Sequence, residues 1–94
     1  MTYLVGAELA AKPAGDRLRA LLERPGIVRL PGAHNGLAAL QARAAGFDAL
    51  YLSGAAMTAS MGLPDLGIIT VDEVAFFIRQ IARAAGLPLV VDGD

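Results

Sequence analysis

The sequence predicts an α/β fold: the first three βα units of a (β/α)8 TIM-type barrel, with parallel strands and the barrel incomplete. Three observations lead there. Short apolar runs bounded by turn residues alternate with helix-patterned segments, the order of strand, helix, strand, helix, strand that builds parallel sheets with right-handed crossovers. The stretch Ala42-Arg43-Ala44-Ala45-Gly46 recurs as Ala82-Arg83-Ala84-Ala85-Gly86, and each copy precedes an apolar run. Any two successive βα units share that pattern, with or without a duplication. A complete barrel takes ~250 residues, about 31 per unit. The 94 residues here therefore correspond to about three units.

The elements follow in order. Residues 1–15 have no clear period and read as an N-terminal arm, leaving 16–94 as the amino-terminal part of the barrel domain. Asp16 opens a short helix in which Leu18, Leu21 and Leu22 share a face, and Pro25-Gly26 stops it. Ile27-Val28-Arg29-Leu30, closed by Pro31-Gly32, is the first strand. Asn35 caps the next helix, with Leu37, Leu40, Gln41 and Ala44 on one face and Gly46 at its end. Ala49-Leu50-Tyr51-Leu52 is the second strand, and a loop runs over 55–69. Thr70-Val71-Asp72-Glu73 is a capping box that starts a helix with a Val74, Phe77, Ile78, Ile81 stripe, ended by Gly86. Leu87-Pro88-Leu89-Val90-Val91 is the third strand, apolar enough to be buried on both faces. The strands should lie in the order one, two, three, with helices near 34–45 and 70–85 on one side.

Composition narrows the function. The chain is 55% hydrophobic with a formal charge of -1, which excludes disorder, a basic stripe for nucleic acid and a cationic face for a membrane. The lack of cysteine excludes disulfides, zinc-thiolate sites and a thiol nucleophile within these residues. No apolar run approaches the ~20 residues of a membrane helix, and no basic segment followed by an apolar core opens the chain, so the expected location is the cytoplasm. The excess of apolar residues predicts surfaces that further protein covers.

In parallel α/β folds the carboxyl ends of the strands collect the functional groups. Ser53-Gly54 follows the second strand and Asp92-Gly93-Asp94 the third, so their side chains and the Gly54 amide can face one pocket. Two carboxylates two residues apart offer hard oxygen ligands suited to Mg²⁺ or Mn²⁺. Asp-Gly-Asp at a strand end also serves as a turn and a cap, and Asp65 in Gly62-Leu63-Pro64-Asp65-Leu66-Gly67 as a loop former. That reading sends Asp94 to nearby amides and Asp65 to solvent, with no shared cavity. Strand periodicity alone puts Tyr51 in the core; Met57 and Met61 read as loop packing, and the single histidine, His34, as a residue at a helix start.

Taken together, Tyr51-Leu52-Ser53-Gly54, Gly62-Leu63-Pro64-Asp65-Leu66-Gly67, the segment 70–73 and Leu87-Pro88-Leu89-Val90-Val91-Asp92-Gly93-Asp94 resemble the isocitrate lyase and phosphoenolpyruvate mutase superfamily. The resemblance spans 16–94. Pro31-Gly32-Ala33-His34-Asn35-Gly36 and Leu52-Ser53-Gly54-Ala55-Ala56 look most like its 2-methylisocitrate lyase branch. The resemblance implies a Mg²⁺-binding (β/α)8 barrel, a homotetramer in its full-length form, acting on a small di- or tricarboxylate. The implied reaction is a retro-aldol-type cleavage to pyruvate and succinate, with the metal stabilising a developing enolate of pyruvate as a Lewis acid. By the family pattern Asp92 ligates the metal directly, Asp94 and Asp65 hold its waters, and Tyr51, Ser53 and Gly54 grip a substrate carboxylate.

No catalytic residue is assigned within the chain. The family's general-acid cysteine would lie beyond Asp94, and its Asp-x-Asp usually continues with Thr-Gly, so a longer reading frame is expected. The alternatives are a phosphonomutase or an oxaloacetate-cleaving hydrolase of the same superfamily, or a non-catalytic α/β module that self-associates.

Overall fold

A computed structural model describes residues 12–93. Most of the expected arm, and Asp94, lie outside the described residues. The elements are α1 (Ala14–Glu23), α2 (Gly36–Ala44), β1 (Leu50–Leu52), α3 (Gly54–Ser60), α4 (Val71–Ala85) and β2 (Leu89–Val91).

Helix α1 begins ahead of Asp16. Pro13, with φ -57°, suits the residue before the first turn, and its carbonyl accepts from the Arg17 N–H at 3.2 Å. Asp16 instead occupies the first turn, where a carboxylate meets the positive end of the helix dipole. No residue of α1 is buried. What ties it to the body is Arg17, which donates to the Gly86 carbonyl at 2.7 Å, while Arg43 of α2 donates to the Ala85 carbonyl at 3.2 Å. The two guanidinium groups thus satisfy carbonyls that the end of α4 leaves without a helical partner.

The first predicted strand, 27–30, is not a strand. Ile27 is 84% exposed, so the β-branched run has no buried face to hold it in a sheet. The chain reaches the sheet only at a single parallel bridge, Gly32 to Tyr51, just past Pro31. There the Tyr51 N–H donates to the Pro31 carbonyl at 3.0 Å and the Ala33 N–H to the Tyr51 carbonyl at 2.9 Å. Pro31 has a carbonyl to offer but no N–H, so a longer ladder through it would lack a donor.

Strands β1 and β2 pair in parallel, Leu50 with Leu89, Tyr51 with Val90 and Leu52 with Val91. The ladder extends one residue each way: the Leu50 N–H donates to the Pro88 carbonyl at 2.9 Å and the Asp92 N–H to the Leu52 carbonyl at 3.0 Å. Because backbone groups of successive strand residues point to opposite edges, Tyr51 bonds the 31–33 segment while Leu50 and Leu52 bond β2. The three segments therefore lie side by side in chain order, all parallel. The third strand is shorter than expected, and its residues are half-buried rather than covered on both faces, because among the described residues only β1 pairs with it.

One face of the sheet carries the core. Leu50 and Leu52 are fully buried against Ala39 of α2, Met57 of α3, and Phe77, Ile81 and Ala85 of α4. Helices α2 and α4 thus pack on the same side, as expected. Of the expected face Leu37, Leu40, Gln41 and Ala44, Leu40 is buried, whereas Leu37 is 51% exposed and Ala39 is buried in its place. Asn35 caps α2 as expected, accepting from the Ala38 N–H at 2.8 Å.

Helix α4 follows its sequence signals closely. The Thr70 hydroxyl accepts from the Glu73 N–H at 3.1 Å and the Glu73 carboxylate from the Thr70 N–H at 2.7 Å. Gly86 ends the helix with φ 65°, a left-handed conformation that a side chain would disfavour. Thr70→Ala is expected to destabilise the chain by about 1 kcal/mol, read as a lower urea midpoint with an unchanged slope.

The region 55–69 is not wholly loop. Helix α3 occupies its first part, with Met57 1% exposed in the core rather than packed beneath a loop. Gly-Ala-Ala-Met-Thr-Ala-Ser carries one large apolar side chain, so no stripe announces the helix. Its start is set by Ser53, whose hydroxyl accepts from the Ala56 N–H at 3.2 Å. Among the described residues no helix is long and apolar enough to cross a membrane.

Candidate functional site

The carboxyl ends of β1 and β2 meet the amino end of α3, and the site grows from that junction. Leu52 is the last residue of β1, Ser53 turns the chain and caps α3, and Gly54 is its first residue. The Thr58 hydroxyl, 2% exposed, donates back to the carbonyls of Gly54 at 3.3 Å and Ala55 at 3.1 Å. Those bonds satisfy a buried hydroxyl and fix the first turn of α3. Across the junction, the Asp92 backbone is held by its bond to Leu52, and its Oδ2 accepts from the Gly54 N–H at 3.3 Å.

Strand parity decides which way the side chains face. Leu50, Leu52, Leu89 and Val91 pack toward the helices. Tyr51, Val90 and, one step beyond each strand, Ser53 and Asp92 belong to the opposite parity. Tyr51 is half-buried there rather than in the core.

A cavity of about 250 Å³ opens at this end of the sheet. Gly54, Asp65 and Asp92 line it, with Thr58 and the apolar side chains of Met57 and Val74 forming walls. The structure thus brings Asp65, Asp92 and Gly54 together, although they are far apart in sequence. Asp65, on the loop between α3 and α4, is exposed, as the turn reading expects, and it also borders the cavity that Asp92 lines.

The other expected site residues divide differently. Tyr51 and Ser53 do not line the cavity, and the Ser53 hydroxyl already accepts the capping bond. Asp94 lies outside the described residues. His34 is half-buried just ahead of the α2 cap and lines no part of the cavity. Among the described residues, no three His, Cys, Asp or Glu side chains form a metal-binding group. Two carboxylates on one cavity nevertheless suit a hard divalent cation of the Mg²⁺ type, which commonly takes one or two carboxylates and fills its remaining positions with water and substrate oxygens. Thr58 is a buried polar lining residue that sequence reasoning missed. Its position four residues after Gly54 was a usable signal once a helix began at Ser53.

Known proteins match the chain strongly. It is 52% identical over all 94 residues to a 2-methylisocitrate lyase of Bacillus subtilis (strain 168), of which it covers 31%. A crystal structure of phosphoenolpyruvate phosphomutase from Streptomyces platensis subsp. rosaceus superposes with a TM-score of 0.80 at 45% identity, over 85% of this chain and 28% of that one. A phosphonopyruvate hydrolase solved in complex with oxalate and Mg²⁺ superposes with a TM-score of 0.81 at 32% identity, over 88% of this chain and 29% of that one. The chain thus spans about a third of the length of these relatives. A profile of the phosphoenolpyruvate phosphomutase family matches residues 18–94, from within α1 to the last residue of the chain, and the chain belongs to that family.

Proposed function

We propose that this chain supplies the first three βα units of a (β/α)8 carbon–carbon lyase of the 2-methylisocitrate lyase type, cytoplasmic and tetrameric in its full-length form. The observation that carries the reading is the 52% identity to the Bacillus subtilis enzyme along the whole chain. The 31–33 segment, β1 and β2 are the three parallel segments of this reading, and the site lies at their carboxyl ends, where barrel enzymes keep their chemistry.

In this reading Asp92 ligates Mg²⁺ or Mn²⁺ directly, and Asp65 and Asp94 hold its waters. A cation bound there supplies Lewis-acid stabilisation of negative charge on a substrate oxygen. Tyr51 and Ser53, on the face that Asp92 shares, hold a carboxylate of the substrate together with Gly54. Met57 and Val74 give the space apolar walls, which lower the local dielectric and strengthen polar contacts against them.

The electron balance of the cleavage corrects the expectation of a pyruvate enolate. The tertiary hydroxyl loses its proton, the bond between its carbon and the neighbouring methine carbon breaks, and the hydroxyl-bearing carbon leaves as the ketone of pyruvate. The electron pair stays on the succinate carbon, which takes up a proton. That proton requires a general acid, and the family's cysteine has no counterpart within these residues.

The test is a chimera in which this chain replaces the matching third of the Bacillus subtilis lyase. It should release pyruvate from 2-methylisocitrate in a Mg²⁺-dependent way, whereas the 94-residue chain alone should release none. A folded chimera that leaves 2-methylisocitrate intact and instead interconverts phosphoenolpyruvate and phosphonopyruvate would replace the lyase reading with the mutase one.

A further inference from the structure

The Gly54 N–H points at a carboxylate of the protein itself, not only into open cavity. It donates to Asp92 Oδ2 at 3.3 Å, and a Cβ built on Gly54 would fall 2.9 Å from that same oxygen and 3.4 Å from Asp92 Cγ. Carbon atoms essentially never approach so closely, so a side chain at this position would push the Asp92 carboxylate, the movable end of its side chain, out of the place it occupies. At Gly93, on the same cavity, an added Cβ meets nothing within 4 Å. The crowding at Gly54 is therefore specific to the Asp92 carboxylate.

We propose that Gly54 is a positioning residue for Asp92: its amide holds Oδ2, and its missing side chain leaves room for the carboxylate to sit at the cavity where a cation would bind. The parts around it serve that task. The Ser53 cap and the Thr58 bond to the Gly54 carbonyl fix the peptide on both sides, so the N–H direction is set before any ligand arrives. The Asp92 backbone is pinned to Leu52, so the two groups are carried by adjoining parts of one ladder. Groups that orient a metal-ligating carboxylate in this way typically contribute 10–100-fold to metal affinity. This inference rests on the proposed metal role of Asp92 and assigns Gly54 a task that comes before substrate binding.

The test uses the 94-residue chain with two readouts. In ¹⁵N-labelled, metal-free chain, Asp92→Ala should move the Gly54 amide proton upfield, and Asp65→Ala, which removes a charge from the same cavity, should not. In Mn²⁺ titrations, Gly54→Ala should weaken binding 10–100-fold, and Gly93→Ala should leave it within about twofold of wild type. A Gly54 amide that ignores Asp92→Ala, or a folded Gly54→Ala chain with wild-type Mn²⁺ affinity, would overturn the proposal. If the wild-type chain binds no Mn²⁺, the metal reading of Asp92 fails, and the amide shift alone decides whether Gly54 positions that carboxylate.

Discussion

Replacing Asp92 with alanine in the chimeric lyase is expected to abolish Mg²⁺-dependent pyruvate release, a loss of at least about 100-fold, beyond the range of a merely supporting contact. Asp92 combines three features that Asp65 lacks: a backbone pinned into the ladder, an oxygen held by an amide, and a half-buried position at a strand end. Asp65→Ala removes an exposed carboxylate on a loop, so its effect should stay within 10–100-fold and be recovered in part at high Mg²⁺. Steady-state rates of both variants across a Mg²⁺ series separate the two roles. Equal losses that added Mg²⁺ recovers equally would make the carboxylates equivalent and remove the distinction between a direct ligand and a water holder.

Leu52→Ala should destabilise the 94-residue chain by about 2–5 kcal/mol, because it empties a fully buried site in the core. A whole domain is stable by only about 5–15 kcal/mol, so the variant should be largely unfolded under mild urea. Ile27→Ala is the contrasting case. Its side chain is 84% exposed, and the change should stay within about 0.5 kcal/mol of neutral. Urea unfolding followed by circular dichroism measures both, and a large loss for Ile27→Ala would mean that residues 27–30 belong to the packed sheet after all.

These two residues also mark where the sequence was readable and where it was not. Leu52 and Ile27 both sit in short, mostly apolar runs followed by turn residues, and both runs read as strands. Burial depends on what lies across the sheet, so only the fold separates them. Helices with chemical end signals were legible almost to the residue: the Thr70 to Glu73 box and Gly86 bracket α4, and Asn35 starts α2. Helix α3 escaped because its signal is a single capping serine followed by small side chains. A serine at a strand end offers its hydroxyl equally to a ligand or to the next helix, and here it caps α3.

For the site, strand-end logic brought Asp92 and Gly54 to one place, and their shared hydrogen bond agrees with it. The facing of Asp65 was open on sequence alone, since a Pro-Asp turn can present its carboxylate to solvent or to a cavity. The loop between α3 and α4 carries Asp65, still exposed, to the rim of the space that Asp92 also borders. Parity explains Tyr51: with Leu50 and Leu52 taken into the core, it has to lie on the other face.

The most direct test of the account is the position of a bound metal in the chimera, read from the anomalous signal of Mn²⁺ in crystals grown with oxalate. The account predicts one ion in the cavity bordered by Gly54, Asp65 and Asp92, about 2.1 Å from an Asp92 carboxylate oxygen, with Asp65 roughly twice as far and reached through water. An ion bound elsewhere in the barrel, with Asp92 turned away and the cavity holding only solvent, would contradict it.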